Sequence, residues 1–429
     1  MRQLTTLLLP MALLSPMTMT HAMHPVSQLM AFDNGGAKPG DLEGIEAEGS
    51  HLALVSSRTA DRSLAEASTG TFTSRPLPAP FPFIKAVPFW NVSTEGGGTV
   101  EIWARGWRSN APIGEWIQVA TWSRDGRHTV ATTESGWLPP EPPEPAPVED
   151  AAVQRTAPAG GTALADGLEQ ARQAAQHLPP VRLDEDTLRL TDAGDALQLR
   201  VVLRSAVDQS SPRLFTLGAA LFPAPPAAPD LDPAKPDRTK RTPIVLDVPY
   251  RSQGWVDKKI SRRVCGPTSL SMIMEYHGLP RPTHCVAQAA YDQTNDIFGN
   301  WSNLAAVGGE MGLRGEVVYG KWGSPEDSLR LLYEEIEAHR PFILSIAYKE
   351  GELDGAPVSK TAGHLVVVRG VDQNGNFFVN DPGGSNAEEG QLVYDRDQLL
   401  HAWRSGVIIR FSASKPEAPP TSSLKTSAP

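Results

Sequence analysis

Cysteine is scarce in this chain, where only Cys265 and Cys285 occur among 429 residues. Small secreted scaffolds held by disulfides carry more cysteine, and a chain of this length has room for two or three domains with cores of their own. Basic charge is scarce too, since 39 Lys and Arg face 49 Asp and Glu and leave a net charge of −10. This balance argues against nucleic acid and anionic membrane surfaces as partners.

Long apolar runs are also missing, because no stretch reaches the ~20 residues that a membrane span requires. Residues 4–14 form a short apolar run behind Arg2, and Thr20-His21-Ala22 offers a cleavage site after Ala22. This pattern predicts a signal peptide over residues 1–22, with a retained anchor as the less favoured alternative. We therefore expect a secreted or periplasmic protein without a permanent membrane span.

The N-terminal half is expected to be an all-β sandwich. Period-two alternation at 99–107 (TVEIWARGW) and 115–122 (EWIQVATW) is typical of half-buried strands. We place the sandwich domain at 76–223, with a Pro/Ala-rich insertion at 138–181. The polar segment before it is predicted to be a flexible leader, and two further segments a linker and a disordered tail: residues 23–75, 224–242 and 413–429 respectively.

Aromatic side chains occupy polar faces of these predicted strands. Trp103 and Trp107 share a face with Arg105, and Trp116 and Trp122 are predicted to share one with each other. Such a face could form a sugar-binding platform, so a glycan is one conceivable ligand of the sandwich. Burial against the second domain or the insertion is the more ordinary explanation.

Residues 243–412 are predicted to form a mixed α+β domain. Apolar periodicity and end signals predict helices at 265–277, 325–339 and 395–403. Strands are predicted between and after them, at 342–348, 364–371, 376–380 and 406–411.

Cys265 stands directly before Gly266-Pro267, at the predicted start of the first of these helices. Proline is favoured in a first helical turn, which places the thiol at the positive end of the helix dipole. A thiol there has a lowered pKa and is a better nucleophile at neutral pH. A bridge to Cys285 would consume this thiol. We predict no such bridge, because the intervening helix spans ~18 Å at its rise per residue, whereas bridged Cα atoms lie within about 7 Å.

A base and an orienting group are needed beside such a thiol. His364 heads the apolar run 365–368, at the mouth of a buried strand, although a histidine bonded only to backbone would fit there equally well. Asp381 ends the next strand and could hold the imidazole. Asn380 would point to the opposite face, so only one of the two can serve. Asp372 is a weaker rival, since ordinary turn chemistry explains it.

Three sequence blocks resemble the papain-like bacteriocin-leader (double-glycine) peptidases. They are VCGPTSLSM at 264–272, AGHLVVV at 362–368 and VNDP at 379–382. The closer similarity is to a stand-alone secreted bacterial branch, and it extends over 243–411, with a weaker likeness in the sandwich half around FWN at 89–91. Known leader peptidases are fused to membrane exporters, which this sequence lacks, so leader processing is not carried over.

The resemblance implies a papain-like fold with Cys265 as nucleophile, His364 as base and Asp381 as orienting residue. It also implies Gln253 as an oxyanion-hole donor, 12 residues before the cysteine. The expected substrate is a peptide or a cell-wall peptide, and no metal or organic cofactor is implied. Zinc binding by the histidines near Cys285 is set aside, because their spacing matches no zinc pattern.

Two other functions remain open from sequence. The first is a catalytically silent wall- or glycan-binding protein that uses the thiol fold as a scaffold. The second is an acyl or γ-glutamyl transferase on the same fold.

Overall fold

The structure is a computed structural model with an N-terminal β domain and a C-terminal α+β domain. The described residues are 27–31, 40–55, 67–123, 127–128, 180–207, 209–224, 240–321 and 323–413. The predicted signal peptide lies outside them, as do almost all of the predicted insertion, most of the linker and nearly all of the tail. Val181, placed at the end of the insertion by sequence, already belongs to a strand.

The N-terminal domain is all-β, as expected, and its described strands form one twelve-stranded antiparallel sheet. These strands are β1 (Ser27–Ala31), β2 (Gly40–Glu43), β3 (Ile45–Glu48), β4 (His51–Leu54), β5 (Ser68–Ser74), β6 (Leu77–Ser93), β7 (Thr99–Arg108), β8 (Ala111–Ser123), β9 (Arg127–His128), β10 (Val181–Asp184), β11 (Thr187–Ser205) and β12 (Arg213–Pro223).

This sheet is continuous and barrel-like, where a sandwich of two sheets was expected. The reason lies in β11, which is 19 residues long. One of its edges pairs with β7, while the other pairs first with β6 and then, from Arg200 onward, with β5. Register shifts between Arg189 and Ala196 mark where β11 bends. A strand that changes partners along its length joins the two layers into one sheet.

The prediction of a flexible leader over residues 23–75 is wrong for its described parts, because β1 to β5 lie there. These strands are only four to seven residues long. Their stability comes from pairing with long strands, as when β1 pairs along β12 and β5 along β11. A short polar strand of this kind leaves almost no periodic signal in the sequence.

The C-terminal domain has the expected α+β composition. Its elements in chain order are β13 (Ile244–Val245), a 3₁₀ turn (Gln253–Trp255), α1 (Cys265–Tyr276), α2 (Thr283–Ala290), α3 (Trp301–Glu310), β14 (Leu313–Tyr319), α4 (Pro325–Glu337), β15 (Phe342–Tyr348), β16 (Thr361–Val371), β17 (Phe377–Asn380), α5 (Ala387–Gly390), β18 (Gln391–Tyr394), α6 (Arg396–Ala402) and β19 (Val407–Ala413). Every helix and strand predicted by sequence for this domain is present. Helices α2, α3 and α5 and strands β13, β14 and β18 were not predicted.

The sheet of this domain brings the ends of α1 and β16 together. Its strand order is β14-β19-β15-β16-β17-β18, and α1 packs against β15 and β16. The Ser269 hydroxyl of α1 donates to the Leu365 carbonyl of β16 at 3.0 Å. This bond fixes the first turn of the helix beside the beginning of the strand.

The two domains pack together through one continuous hydrophobic core. Helix α3 lies against β6 of the N-terminal domain on one side and contacts α1 on another. Among the described residues, no helix combines the length and apolar character needed to cross a membrane.

Candidate active site

Cys265 is the first residue of α1, and its side chain is half-buried. Val264 precedes it as N-cap without a side-chain hydrogen bond, so the first N–H groups of the helix are not capped by that residue. Gly266 follows, and a Cβ there would stand 2.8 Å from Leu304 and 2.9 Å from Leu365. A side chain at the position after the thiol would therefore have to displace the leucine side chains that form the wall behind it.

His364 faces this thiol from β16. The residue is 7% exposed, pairs in register with Ile346 of β15, and forms a side-chain hydrogen bond with Cys265. Burial alone would lower the pKa of the imidazole. The charge and hydrogen bond of Asp381, helped by Cys265, nevertheless raise that pKa well above its usual value.

Asp381 follows β17 directly and is fully buried. Its Oδ1 lies 2.7 Å from His364 Nε2 and accepts the Gly383 N–H at 2.8 Å. Burial would raise the pKa of this carboxyl, but the His364 charge and these hydrogen bonds hold it below its ordinary range. The Asn380 amide points elsewhere and donates to the Val248 carbonyl at 3.0 Å. The side chains of these two neighbours thus point to different sides, and only Asp381 contacts the imidazole.

The thiol responds to the same network. Burial would raise the pKa of the Cys265 thiol, yet the hydrogen bond and charge of His364 lower it, together with backbone groups of Leu365 and Gly266. A lowered thiol pKa beside a raised imidazole pKa favours a thiolate–imidazolium pair. The arrangement can therefore supply a nucleophile, a proton acceptor and a fixed counter-charge.

Gln253 lies at the start of the 3₁₀ turn, and its backbone N–H donates to the Pro382 carbonyl at 2.9 Å. This bond ties the glutamine to the loop that begins with Asp381. The side-chain oxygen of Gln253 is buried and has no hydrogen-bond partner among the described residues.

Sequence reasoning missed the tyrosines around Asp381. Tyr394 of β18 donates its hydroxyl to Asp381 Oδ2 at 2.7 Å, and both residues are fully buried. Tyr250 donates to the carbonyls of Asp381 at 3.1 Å and Gly384 at 2.7 Å. Burial, with the nearby Asp381 charge, raises the pKa of Tyr250 to about 12, so it remains a donor at ordinary pH. Tyr394 lies 13 residues beyond Asp381, and no local motif signals this contact.

The remaining cysteine and the rival carboxylate play other parts. Both cysteines are free, and Cys285 lies within α2. Asp372 accepts the backbone N–H groups of Asn374 at 2.7 Å and Asn376 at 2.9 Å, which is the turn chemistry expected of it. Among the described residues, no three His, Cys, Asp or Glu side chains are grouped to hold a metal.

The tryptophans of the N-terminal domain divide between two faces. The guanidinium groups of Arg105 and Arg200 lie over the Trp116 ring, at 4.5 Å and 4.2 Å from its centroid. Trp122 is instead fully buried and meets Trp90 edge-on at 5.9 Å. The prediction that Trp116 and Trp122 share a face is wrong, because a register shift in the pairing of β7 with β8 reverses the alternation. A glycan ligand stays a prediction.

Cys265, His364 and Asp381 come together where the start of α1 meets β16, and a Cys–His pair oriented by a third polar group is the arrangement found in cysteine peptidases. Comparison with known proteins then gives the family. Residues 245–406 match the Peptidase_C39 like family. Residues 32–136 match the domain described as the Peptidase C39 N-terminal domain. The C-terminal domain thus belongs to the C39-like cysteine peptidases, which confirms the resemblance drawn from the sequence blocks.

Solved structures of double-glycine peptidases are similar to part of the chain. One is a double glycine motif protease from an AMS/PCAT transporter in complex with the leader peptide, at 16% identity and a TM-score of 0.28, covering 41% of this chain and 100% of that one. Another is the peptidase domain of Streptococcus ComA, a bi-functional ABC transporter of a quorum sensing pathway, at 14% identity and a TM-score of 0.27, covering 37% and 95%. No curated protein matches the chain significantly.

Proposed function

We propose that the protein is an exported cysteine hydrolase that cleaves peptide bonds, or the amide bonds of cell-wall peptides, through a thioester intermediate. The observation that carries this proposal is the continuous hydrogen-bonded series Cys265, His364 and Asp381, in which the thiol pKa is lowered. Membership of a cysteine peptidase family supports a peptide substrate. Export rests on the signal-peptide pattern of residues 1–22.

In the first half of the reaction, the Cys265 sulfur attacks the scissile carbonyl carbon. The C=O π bond opens, and negative charge collects on the oxygen. The backbone N–H of the nucleophile and the Gln253 side-chain amide are the proposed donors to this oxyanion. The proton on His364 then passes to the leaving amine as the C–N bond breaks, which leaves an acyl-thioester on Cys265.

In the second half, His364 accepts a proton from water as the water oxygen attacks the thioester carbon. Collapse of this intermediate releases the carboxylic acid and returns the thiolate to Cys265. Asp381 stays ionised throughout and fixes the ring through Nε2, which leaves Nδ1 as the nitrogen that exchanges the proton in this proposal.

The test is hydrolysis of peptide and cell-wall-peptide libraries by the purified chain, with Cys265→Ala and Cys285→Ala as a matched pair. We expect turnover to vanish in Cys265→Ala and to persist in Cys285→Ala. Undiminished turnover in Cys265→Ala would overturn the proposal. Added amine acceptors measure any transferase activity, which would appear as amide products in place of the free acid.

A further inference from the structure

Helix α3 is held at its N-terminus by two groups of the other domain. The Asp186 carboxylate, in the turn between β10 and β11, accepts the Ser302 backbone N–H at 2.9 Å. The Ser302 hydroxyl donates to the Pro88 carbonyl of β6 at 2.5 Å. Both bonds are buried and join the N-terminal domain to the first turn of the helix.

The C-terminal end of α3 is held in the same way. The Glu310 carboxylate accepts the indole N–H of Trp122 at 3.1 Å and the hydroxyl of Thr94 at 2.9 Å. Just beyond the helix, the Asn91 amide donates to the Gly315 carbonyl at 2.9 Å and accepts its N–H at 2.8 Å. The N-terminal domain thus holds α3 at both ends and β14 near its start.

The opposite side of α3 supports the nucleophile. Leu304, in the first half of the helix, lies so close to Gly266 that a Cβ on that glycine would stand 2.8 Å from it. Gly299, which precedes the helix, approaches within 3.3 Å of the same point. Helix α3 therefore lies between the N-terminal domain and the first turn of α1, and its position sets the wall behind Cys265.

Burial of the Asp186 side chain at this position is unfavourable for the stability of the fold. It is 3% exposed, and no Lys, Arg or His forms an ion pair with it among the described residues. Burial raises the pKa of its carboxyl, and the hydrogen bond from Ser302 acts against that shift. An unpaired buried carboxylate destabilises a fold unless its surroundings compensate, and here the compensation comes from the positive end of α3 and from the Thr187 hydroxyl, which donates to Asp186 Oδ1 at 3.2 Å. Its neighbour Glu185 has φ 55°, so the turn that projects Asp186 is itself unusual for a non-glycine residue.

We propose that Asp186 is a positioning residue contributed by the N-terminal domain. It fixes the first turn of α3 and, through Leu304 and Gly299, keeps Cys265 in line with His364. The N-terminal domain is then part of the catalytic unit and not only an appended module. This inference rests on the proposed role of Cys265 as nucleophile.

The test compares three variants of the full chain: Asp186→Ala, Asp186→Asn and the control Asp184→Ala. Asp184 lies in the same hairpin but pairs with Arg189 on the surface. The readout is the rate of carboxamidomethylation of Cys265 by iodoacetamide across pH, with Cys285 in the same molecule as internal reference. Peptide mapping by mass spectrometry separates the two thiols.

We expect Asp186→Ala to slow the Cys265 reaction about tenfold near neutral pH, since small misplacements of a reacting group have large effects on rate. Cys285 should react unchanged. Asp186→Asn keeps an acceptor for the Ser302 N–H and should recover most of the rate, and Asp184→Ala should match the wild type. A purely stabilising role would lower the melting temperature and leave the Cys265 pH profile untouched, which would overturn the proposal.

If Asp186→Ala fails to fold, Asp186→Glu carries the same test, because it displaces the carboxylate by one methylene. A wild-type Cys265 rate in that variant would equally refute the positioning role. The two proposals fail separately. A wild-type Cys265 no faster than Cys285 would refute the proposed function, whereas a fast Cys265 that is indifferent to Asp186 would refute only this inference.

Discussion

Tyr394 donates its hydroxyl to Oδ2 of Asp381 at 2.7 Å, while His364 lies 2.7 Å from Oδ1 of the same carboxylate. The backbone N–H of Gly383 completes the set at 2.8 Å. The Tyr394 hydroxyl and the Gly383 N–H therefore hold the Asp381 carboxylate in one position. The carboxylate in turn holds the His364 ring in one orientation. Positioning of this kind is what a thiolate–imidazolium pair requires.

Replacing Tyr394 by Phe should remove one hydrogen bond from Asp381 and leave the other contacts of the site in place. We expect a several-fold loss of kcat and a loss of stability of about 0.5–1.5 kcal/mol, which is typical of one hydrogen bond. Fewer donors raise the pKa of Asp381. A carboxylate with a lowered folded-state pKa contributes stability that is lost as pH falls through that pKa, so acid unfolding of the variant should begin at higher pH.

Thermal unfolding measured from about pH 3 to pH 7 checks this prediction against Tyr276→Phe. The Tyr276 hydroxyl donates to the backbone carbonyl of His339 at 3.1 Å, a hydrogen bond that lies on the surface. An unchanged acid limb in Tyr394→Phe would show that its hydroxyl does not support the Asp381 charge.

His364 and Asp381 should behave as one unit. His364→Ala is expected to remove most of the rate, and Asp381→Asn to lower kcat while leaving residual turnover, because the amide keeps the shape but loses the charge. The double variant should lose little beyond His364→Ala alone, since residues that act together give non-additive effects. The measurement is kcat/KM for all three variants.

Asp372→Asn is the control for this series and should be nearly neutral, because the Asp372 side chain accepts turn N–H groups. The reverse pattern, a crippled Asp372→Asn beside a silent Asp381→Asn, would remove Asp381 from the proposed mechanism.

A side chain at Gly266 should destabilise the protein. The new Cβ of Gly266→Ala would press on Leu304 and Leu365, at 2.8 Å and 2.9 Å. We expect a destabilisation of about 1–3 kcal/mol, as for overpacked cores, together with a clear loss of kcat. Gly363→Ala is the matched control: it adjoins His364 as Gly266 adjoins Cys265, yet its Cβ would meet nothing within 4 Å. Equal melting temperatures for the two variants would contradict the closed wall behind the thiol.

Much of the site could be predicted from sequence, because its residues lie at element ends with strong local signals. Proline in the first turn marked the start of α1, and the apolar run after His364 marked β16, which begins three residues earlier than predicted. Helix α3 could not be predicted in this way. It contains Gly308 and Gly309, which lower helix propensity but admit Phe411 and Asn91 at close range. Helix α3 therefore forms because of its packing against residues distant in sequence.

The tertiary contacts of the site could not be predicted from the sequence either. Asp186 and Ser302 are separated by 116 residues. The curled sheet of the N-terminal domain also escaped sequence reasoning, because a strand that changes partners halfway has the same alternation as one that does not.

The central claim is that His364 activates Cys265, and the most direct measurement is the rate of carboxamidomethylation of Cys265 from about pH 5 to pH 9. The lowered thiol pKa predicts that the wild-type rate reaches its half-maximum below about pH 8.5, the midpoint of an ordinary cysteine. In His364→Ala that midpoint should move upward, while Cys285 in the same molecule keeps its wild-type profile. A Cys265 profile that is the same with and without the imidazole would contradict the account.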